Sequence, residues 1–329
     1  MKRILTITSL LCIIASAWIW FSYQSSIDST HISSESGPVV LVVKPGDSLN
    51  NVINKLLRRQ AIDPTWFKIL VKLEEAENKI QAGEYEFSTG TTPRQILDVL
   101  RLGKVNQYKV SIIEGQTFFQ VIKQLHQHKV LKRTLPTNGT MREYAKQLGL
   151  SEENLEGSLM PETYFFVKGT RDKEIVLRAH KALRVFIKKA WEKREKNKHI
   201  KTPYEALILA SIVERETAVA DERKRIAGLF LSRLEIGMKL QTDPTVIYGM
   251  GSRYKGDIRF RDLRQDTPYN TYTRYGLPPT PIAMAGKASI DAVFHPNKTK
   301  SLYFVSRGDG THVFSETLKQ HNAAVDKYQ

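Results

Sequence analysis

The sequence predicts an α+β fold carried behind one N-terminal transmembrane helix. Three observations predict it. Residues 4–21 form an apolar run that, as a helix, reaches about 27 Å, close to the depth of a bilayer's hydrocarbon core. Between residues 38 and 130, short period-two hydrophobic stretches alternate with i, i+4 patterns. The second half then mixes long amphipathic helices with turn-rich aromatic segments, a mixed α+β pattern. The 329 residues suffice for two domains, and a hydrophobic fraction of 41% supports folded cores rather than disorder.

Residues 1–3 read as a cytoplasmic tip, because Lys2 and Arg3 precede the apolar run and positive charge stays inside. Trp18, Trp20 and Tyr23 would then sit at the far interface as an aromatic belt. Ala15-Ser16-Ala17 resembles a signal-peptidase site. Cleavage there would leave Trp-Ile-Trp-Phe as the new terminus, so an uncleaved single-pass anchor is expected, with the bulk of the chain exported. Cys12, the one cysteine, lies inside this segment. The exported part therefore has no disulfide, thiolate metal site or cysteine nucleophile. Residues 22–37 are polar and Ser-rich, as a linker would be.

A weak internal repeat of strand, glycine turn and capped helix fills residues 38–130. Its copies are LVVKPGDSLNNVINKLL with Ser48 as N-cap, YEFSTGTTPRQILDVL with Thr92 as N-cap and Pro93 at N1, and VSIIEGQTFFQVIKQL with Thr117. The match of KPGDSL to a LysM module, a peptidoglycan-binding fold, is modest, and a common β-turn-α unit explains it nearly as well. Residues 131–329 read as a larger mixed domain. Helices are expected over Met141–Leu150, roughly Lys173–Asn197, Tyr204–Ala220, Glu222–Ile236 and Glu316–Tyr328, with LEGSLMPETYFF mixing turn and strand signals. Gly308-Asp309-Gly310 reads as the turn of a hairpin between SLYFVS and THVF.

The segment YEALILASIVERETAVA carries the sharpest chemical signal. With Val213 at zero on a helical wheel, Leu209, Ala206, Ala220, Ile212 and Ala210 fall within roughly 100°. Glu216 falls inside that arc at about −60°, while Glu214 lies on its edge at about +100°. A carboxyl on a core-facing stripe is costly to ionise, so its pKa rises. A carboxylic acid that keeps its proton near neutrality is what general-acid cleavage of a glycoside requires. The ordinary alternative is a solvated or paired glutamate, for which Arg215, Arg223 and Lys224 are available. Glu214 and Glu216 do not share a face, so they are not a paired-carboxylate site.

Two further clusters combine polar groups with aromatic rings: Gln241, Thr242, Asp243, Thr245 and Tyr248, then Tyr269, Asn270, Thr271 and Tyr272 ahead of GLPPTPI. Sugar sites need flat rings for C–H faces and amides, carboxylates and hydroxyls for sugar hydroxyls. Ordered loops use the same residues. There is no HExxH, no close histidine pair, no GxSxG and no Walker loop. His295, His312 and His321 are scattered. Neither a metal nor any other cofactor is expected. The net charge of +16 points to an anionic partner, such as anionic lipid or an acidic polymer. No motif for nucleic acid accompanies it, and the run KKAWEKREKNKHIK reads as a solvated helix end.

The segments ALILASIVERETAVADERKRIAGLFLSRL, QTDPTVIYGMG, YNTYTRYGLPPTPI, AVFHPNKTKSLYFV and THVFSETLKQHN together resemble the YceG-like endolytic murein transglycosylase family. LEGSLMPETY resembles its upstream motif, with Ser158 where an aromatic or apolar residue is usual. The resemblance implies a small LysM-like subdomain and a catalytic domain distantly lysozyme-like. It also implies an inner-membrane anchor with the bulk of the chain periplasmic, and cleavage of peptidoglycan strands internally to leave 1,6-anhydro-N-acetylmuramic acid ends. Peptidoglycan synthases would be partners in ending nascent strands. In the wider lytic transglycosylase group the catalytic glutamate ends an apolar helix and precedes serine; Glu216-Thr217 is the match here. AVADER lacks that group's glycine-rich loop. Gln241, Asp243, Tyr248, Asn270 and Tyr272 are the expected substrate-binding residues. Asp243 could serve as the second acid of a hydrolytic muramidase, and a non-catalytic wall-binding scaffold is the alternative from another class.

Overall fold

The computed structural model describes residues 2–32 and 37–329, with residues 2–5 described by their backbone alone. The fold is mixed α+β with one N-terminal apolar helix. The chain forms two compact units. The first runs through Tyr108 and takes back Phe165–Gly169; the second holds Lys109–Tyr164 and Thr170–Gln329.

The first unit begins with α1 (Lys2–Asp28). Its Thr6–Asp28 portion is long and apolar enough to cross a membrane, and Leu10, Leu11, Trp18 and Phe21 stand exposed along it. The helix continues past Phe21 because Tyr23 and Ile27 are buried in the core of this unit. It therefore takes up the start of the polar segment read from sequence as a linker, of which Ser33–Ser36 lie outside the described residues. The order is then β1 (Val39–Val43), α2 (Leu49–Leu57), α3 (Pro64–Leu73), β2 (Gly83–Phe87) and α4 (Pro93–Leu102). β1 and β2 pair antiparallel, from Val39 opposite Phe87 to Val43 opposite Gly83. Val39, Leu41 and Val43 point inward, as a period-two strand requires. Ser48 caps α2 and Thr92 caps α4 in a box with Gln95, as the helix-start signals predict. α3, which the repeat pattern does not anticipate, starts at the Asp63 cap with Pro64 in its first turn and buries Phe67, Leu70 and Val71.

The units part at Tyr108 and not near residue 130, so the third repeat copy falls in the second unit. After β3 (Tyr108–Ser111), α5 (Phe118–Gln127) buries Phe118, whose ring meets Tyr144 edge-on at 5.4 Å. Tyr144 lies on α6 (Met141–Leu148), which ends at left-handed Gly149. Packing against distant residues thus decides where α5 belongs.

β4 (Thr163–Phe166) and α7 (Asp172–Lys193) lead to the helices that build the second core. α8 (Pro203–Glu216) and α9 (Ala220–Glu235) pack with α12 (Lys287–Phe294), burying Leu209, Ile212, Val213, Ile226, Phe230 and Ile290. Between α9 and α12 lie α10 (Asp243–Met250) and α11 (Phe260–Arg264). The chain closes with the hairpin β5 (Tyr303–Ser306) and β6 (His312–Ser315), in register from Tyr303 opposite Ser315 to Ser306 opposite His312, and then α13 (Leu318–Tyr328). Gly308 and Gly310 take positive φ at the turn the sequence marks.

Gly228 shows how tight this core is. A Cβ built there would lie 2.1 Å from the backbone carbonyl oxygen of Asn297. That segment is itself pinned by Asn297 N–H to Lys224 O at 3.0 Å. Gly228→Ala is expected to force the helix and the segment apart and to cost about 1–3 kcal/mol, seen as a lowered midpoint in thermal denaturation followed by circular dichroism.

Candidate active site

Glu216 is the last residue of α8. The apolar stripe before it is buried from Ala206 to Val213, which fixes the helix and carries the carboxyl to a groove of about 580 Å³. The groove is walled by the segment from Gln241 to Asp243, by Tyr272, by the β5–β6 hairpin and by α13. The carboxyl is closely surrounded by protein, while a part of the residue remains open to the groove. Burial pushes the pKa of Glu216 up to about 7. The Thr242 hydroxyl, which donates to Oε1, opposes this, and the negative charge of Asp243 adds to it. His312 and Arg233 beside it act in the lowering direction.

Glu214 has a different task. Its Oε2 accepts the backbone N–H of Gly286 at 2.9 Å, at the N-cap of α12. It fastens two core helices and stands apart from the groove lining.

The turn after Glu216 is braced by one hydroxyl and one carboxylate. Thr217 Oγ1 accepts from Val219 N–H at 3.0 Å and donates to Glu222 Oε2 at 3.2 Å. Glu222 also accepts the backbone N–H of His312 at 2.8 Å and bonds its Nδ1 at 2.7 Å. One carboxylate therefore ties the turn after Glu216 to the hairpin that forms the opposite wall. Arg233, 5% exposed, lines the same groove. Its Nε donates to Leu302 O at 2.7 Å and its Nη1 to Leu240 O. Among the described residues no carboxylate forms a salt bridge with it, and backbone carbonyls take its bonds.

Of the expected substrate-binding residues, Gln241, Asp243 and Tyr272 line the groove with Glu216. The Tyr272 hydroxyl donates to Asp243 Oδ1 at 2.6 Å. Gln241 has φ +47°, a left-handed backbone that costs a residue with a side chain about 1 kcal/mol. Its N–H bonds Thr271 O at 3.1 Å, and this kink delivers Thr242 to Glu216. Beneath it, Thr245 Oγ1 donates to Thr242 O at 2.7 Å, and Thr242 N–H donates to Thr271 Oγ1 at 3.1 Å.

Tyr248 and Asn270 lie elsewhere. Asn270 is buried, its amide nitrogen donating to the carbonyls of Leu263 and Gln265 at 3.0 and 2.7 Å and its oxygen accepting Tyr272 N–H at 2.8 Å. It holds the loop that presents Tyr272. Tyr248 donates to Glu156 Oε2 at 3.1 Å and packs edge-on against Tyr269 at 4.7 Å. Glu156, in LEGSLMPETY, is a second buried carboxyl, pushed by burial up to about 7 although Phe118 N–H, the Tyr248 hydroxyl and Gly157 N–H bond it. It is a tie between loops, away from the groove lining. Nothing in the sequence points to the Glu222–His312 pair. Thr242 stands in a cluster the sequence marks, but nothing in the spacing shows that it reaches Glu216.

One groove thus brings together a carboxyl raised to about 7, a hydroxyl bonded to it and an aromatic–carboxylate pair, the kinds of group that acid catalysis on a polyhydroxylated substrate would call on. The YceG-like family model matches residues 41–327, and the chain belongs to that family. It is 32% identical to the endolytic murein transglycosylase of Bacillus subtilis (strain 168), across 90% of this chain and 87% of that protein. It is 24% identical to the endolytic murein transglycosylase of Streptococcus pneumoniae serotype 2 (strain D39), across 95% of this chain and 63% of that longer protein. A crystal structure of a YceG-like protein from Listeria monocytogenes superposes with a TM-score of 0.55 at 29% identity, covering 87% of this chain and 99% of that one.

Proposed function

We propose that this chain is a peptidoglycan lytic transglycosylase that cuts glycan strands internally, with Glu216 as acid and then base. The observation that carries the reading is the placement of Glu216: it ends the buried stripe of α8, opens into the groove and holds its proton near neutrality. The two curated relatives bear the name endolytic murein transglycosylase.

In this reading protonated Glu216 gives its proton to the oxygen leaving C1 of N-acetylmuramic acid. Positive charge builds at C1 and the substrate's own N-acetyl carbonyl stabilises it. The Glu216 carboxylate then takes the proton of the C6 hydroxyl, whose oxygen closes onto C1. The nucleophile belongs to the same sugar, so its effective concentration is high and no water need be activated. The products are an anhydro end and a free 4-hydroxyl, and Glu216 regains its proton. Tyr272, Asp243 and Gln241 hold the sugars. Asp243 in the same groove supports a second reading, hydrolysis through a water-activating base.

The wider setting belongs to the same proposal. α1 anchors the chain in the inner membrane with its N-terminus cytoplasmic and the bulk periplasmic, as the apolar run and the charges of Lys2 and Arg3 support. The order β1–α2–α3–β2 in the first unit supports a LysM-like module that grips wall polymer, and the second unit is a distant relative of lysozymes. Glycan synthases are the fitting partners for an enzyme that ends nascent strands.

Purified glycan strands, digested and analysed by mass spectrometry, test the reaction. Anhydro-terminated fragments are the expected product. Reducing ends would establish the muramidase, and intact strands would leave a non-catalytic scaffold.

A further inference from the structure

Most of the motif YNTYTRYGLPPTPI lies outside the groove lining. Tyr272 lines the groove, but residues 275–279 line a second, larger cavity of about 790 Å³. The segment after α9 divides in the same way: Gly237 and Met238 face the second cavity, and Gln241 to Asp243 face the groove. Three residues of chain span at most about 10 Å, so these two short segments form the partition between the sites. A strand cut in its interior must leave the groove on both sides, and this cavity lies directly beyond one of its walls.

The lining suits a sugar polymer. Tyr275 and Tyr204 are 71% and 43% exposed, although Leu277, Pro278 and Pro279 beside them give apolar surface for packing. Lys239 Nζ covers one face of the Tyr275 ring at 5.0 Å, which leaves the other face to solvent. Single exposed tyrosines are ordinary; two on the walls of one cavity, a few residues of chain from the groove, can serve as a stacking platform. Lys201 also lines the cavity; among the described residues its ammonium enters no salt bridge, while Glu205 in the same lining accepts its backbone N–H at 2.5 Å.

We propose that this cavity is a distal subsite for the glycan strand. It takes sugar rings a short way along the polymer from the scissile bond, stacking them on Tyr275 and Tyr204, while Lys201 meets the carboxylates of acidic stem peptides. The proposal rests on the reading of the groove as a site for peptidoglycan, and it makes binding depend on strand length.

The test uses the full chain carrying Glu216→Gln, which holds strands without cutting them. Its affinity is measured for size-fractionated glycan strands, long and short, with stems and stripped of them. Long strands are expected to bind more tightly than short ones. Adding Tyr275→Ala should weaken binding of long strands about tenfold and close the gap to short ones. Lys201→Gln should weaken only strands that keep their stems. Phe260→Ala removes an aromatic that is 80% exposed and lines neither site, and should change nothing. Tyr275 is a surface residue, so its loss should leave the thermal midpoint in place. If the Tyr275→Ala protein, folded by that measure, binds long strands as its parent does, or loses long and short strands alike, the subsite does not exist. Binding is read here without cleavage. Failure of the subsite therefore leaves the product analysis standing, and absence of anhydro products would remove the reaction without touching the length dependence.

Discussion

Glu216→Gln is expected to lower kcat by about 10²–10⁴-fold, the range a positioned general acid supplies, and to make the folded protein more stable at alkaline pH. The two effects share one cause. Burial raises the carboxyl from 4.5 to about 7 in the fold. Below pH 4.5 the group is protonated in both folded and unfolded chains and costs nothing. Between 4.5 and 7 the unfolded chain ionises first, and stability is lost as pH rises through the folded value. Above 7 the fold bears the whole difference, at most about 3 kcal/mol. Glutamine has no proton to lose, so the variant should match the parent near pH 4, below both values, and exceed it at pH 8. Denaturant melts at the two pH values, set beside turnover of glycan strands, check both halves. Equal stability at pH 8 would mean that the fold does not hold the proton. Turnover retained by the variant would remove Glu216 from the chemistry.

Part of this site is legible in the sequence and part is not, for physical reasons. Helical periodicity marks a carboxyl among apolar neighbours, so Glu216 at the end of α8 can be found without coordinates, and the same wheel separates it from Glu214. The hairpin at Gly308-Asp309-Gly310 and the caps Ser48, Thr92 and Thr117 are local chemistry, and they form where that chemistry says. Composition brings Gln241, Asp243 and Tyr272 forward. It brings Tyr248 and Asn270 forward equally, because an amide or a phenol suits a buried strut as well as a groove wall. Only the partners decide: Asn270 spends its amide on backbone carbonyls, and Tyr248 spends its hydroxyl on Glu156. The contact of Glu222 with His312 and that of Thr242 with Glu216 join residues far apart in the chain, beyond the reach of any local pattern. The unit boundary is hidden for the same reason, since α5 is assigned by its contacts with Tyr144 and Glu156.

Thr242→Val is expected to move the alkaline limb of the pH profile upward by about one unit and to slow cleavage by about 10–100-fold. The Thr242 hydroxyl donates to Glu216 Oε1, and a donor favours the charged carboxylate. Valine keeps the shape and removes the donor. Burial and the charge of Asp243 are then less opposed, so the folded pKa of Glu216 rises above about 7. The acid form, which the first step needs, persists to higher pH, and the limb follows it. The rate falls because the carboxylate formed on proton donation has lost its partner. A hydrogen bond to a charged group contributes about 1.5–3 kcal/mol, which fixes the size of the loss. Thr242→Ser restores the hydroxyl and should return the limb to its original position, even where the missing methyl group costs stability. The backbone bond from Thr242 N–H to Thr271 Oγ1 survives all three side chains, so the loop keeps its course. The measurement is kcat/KM across pH for parent, valine and serine proteins. A valine limb that stays in place or moves downward would show that the hydroxyl only supports the loop and does not set the acidity of Glu216.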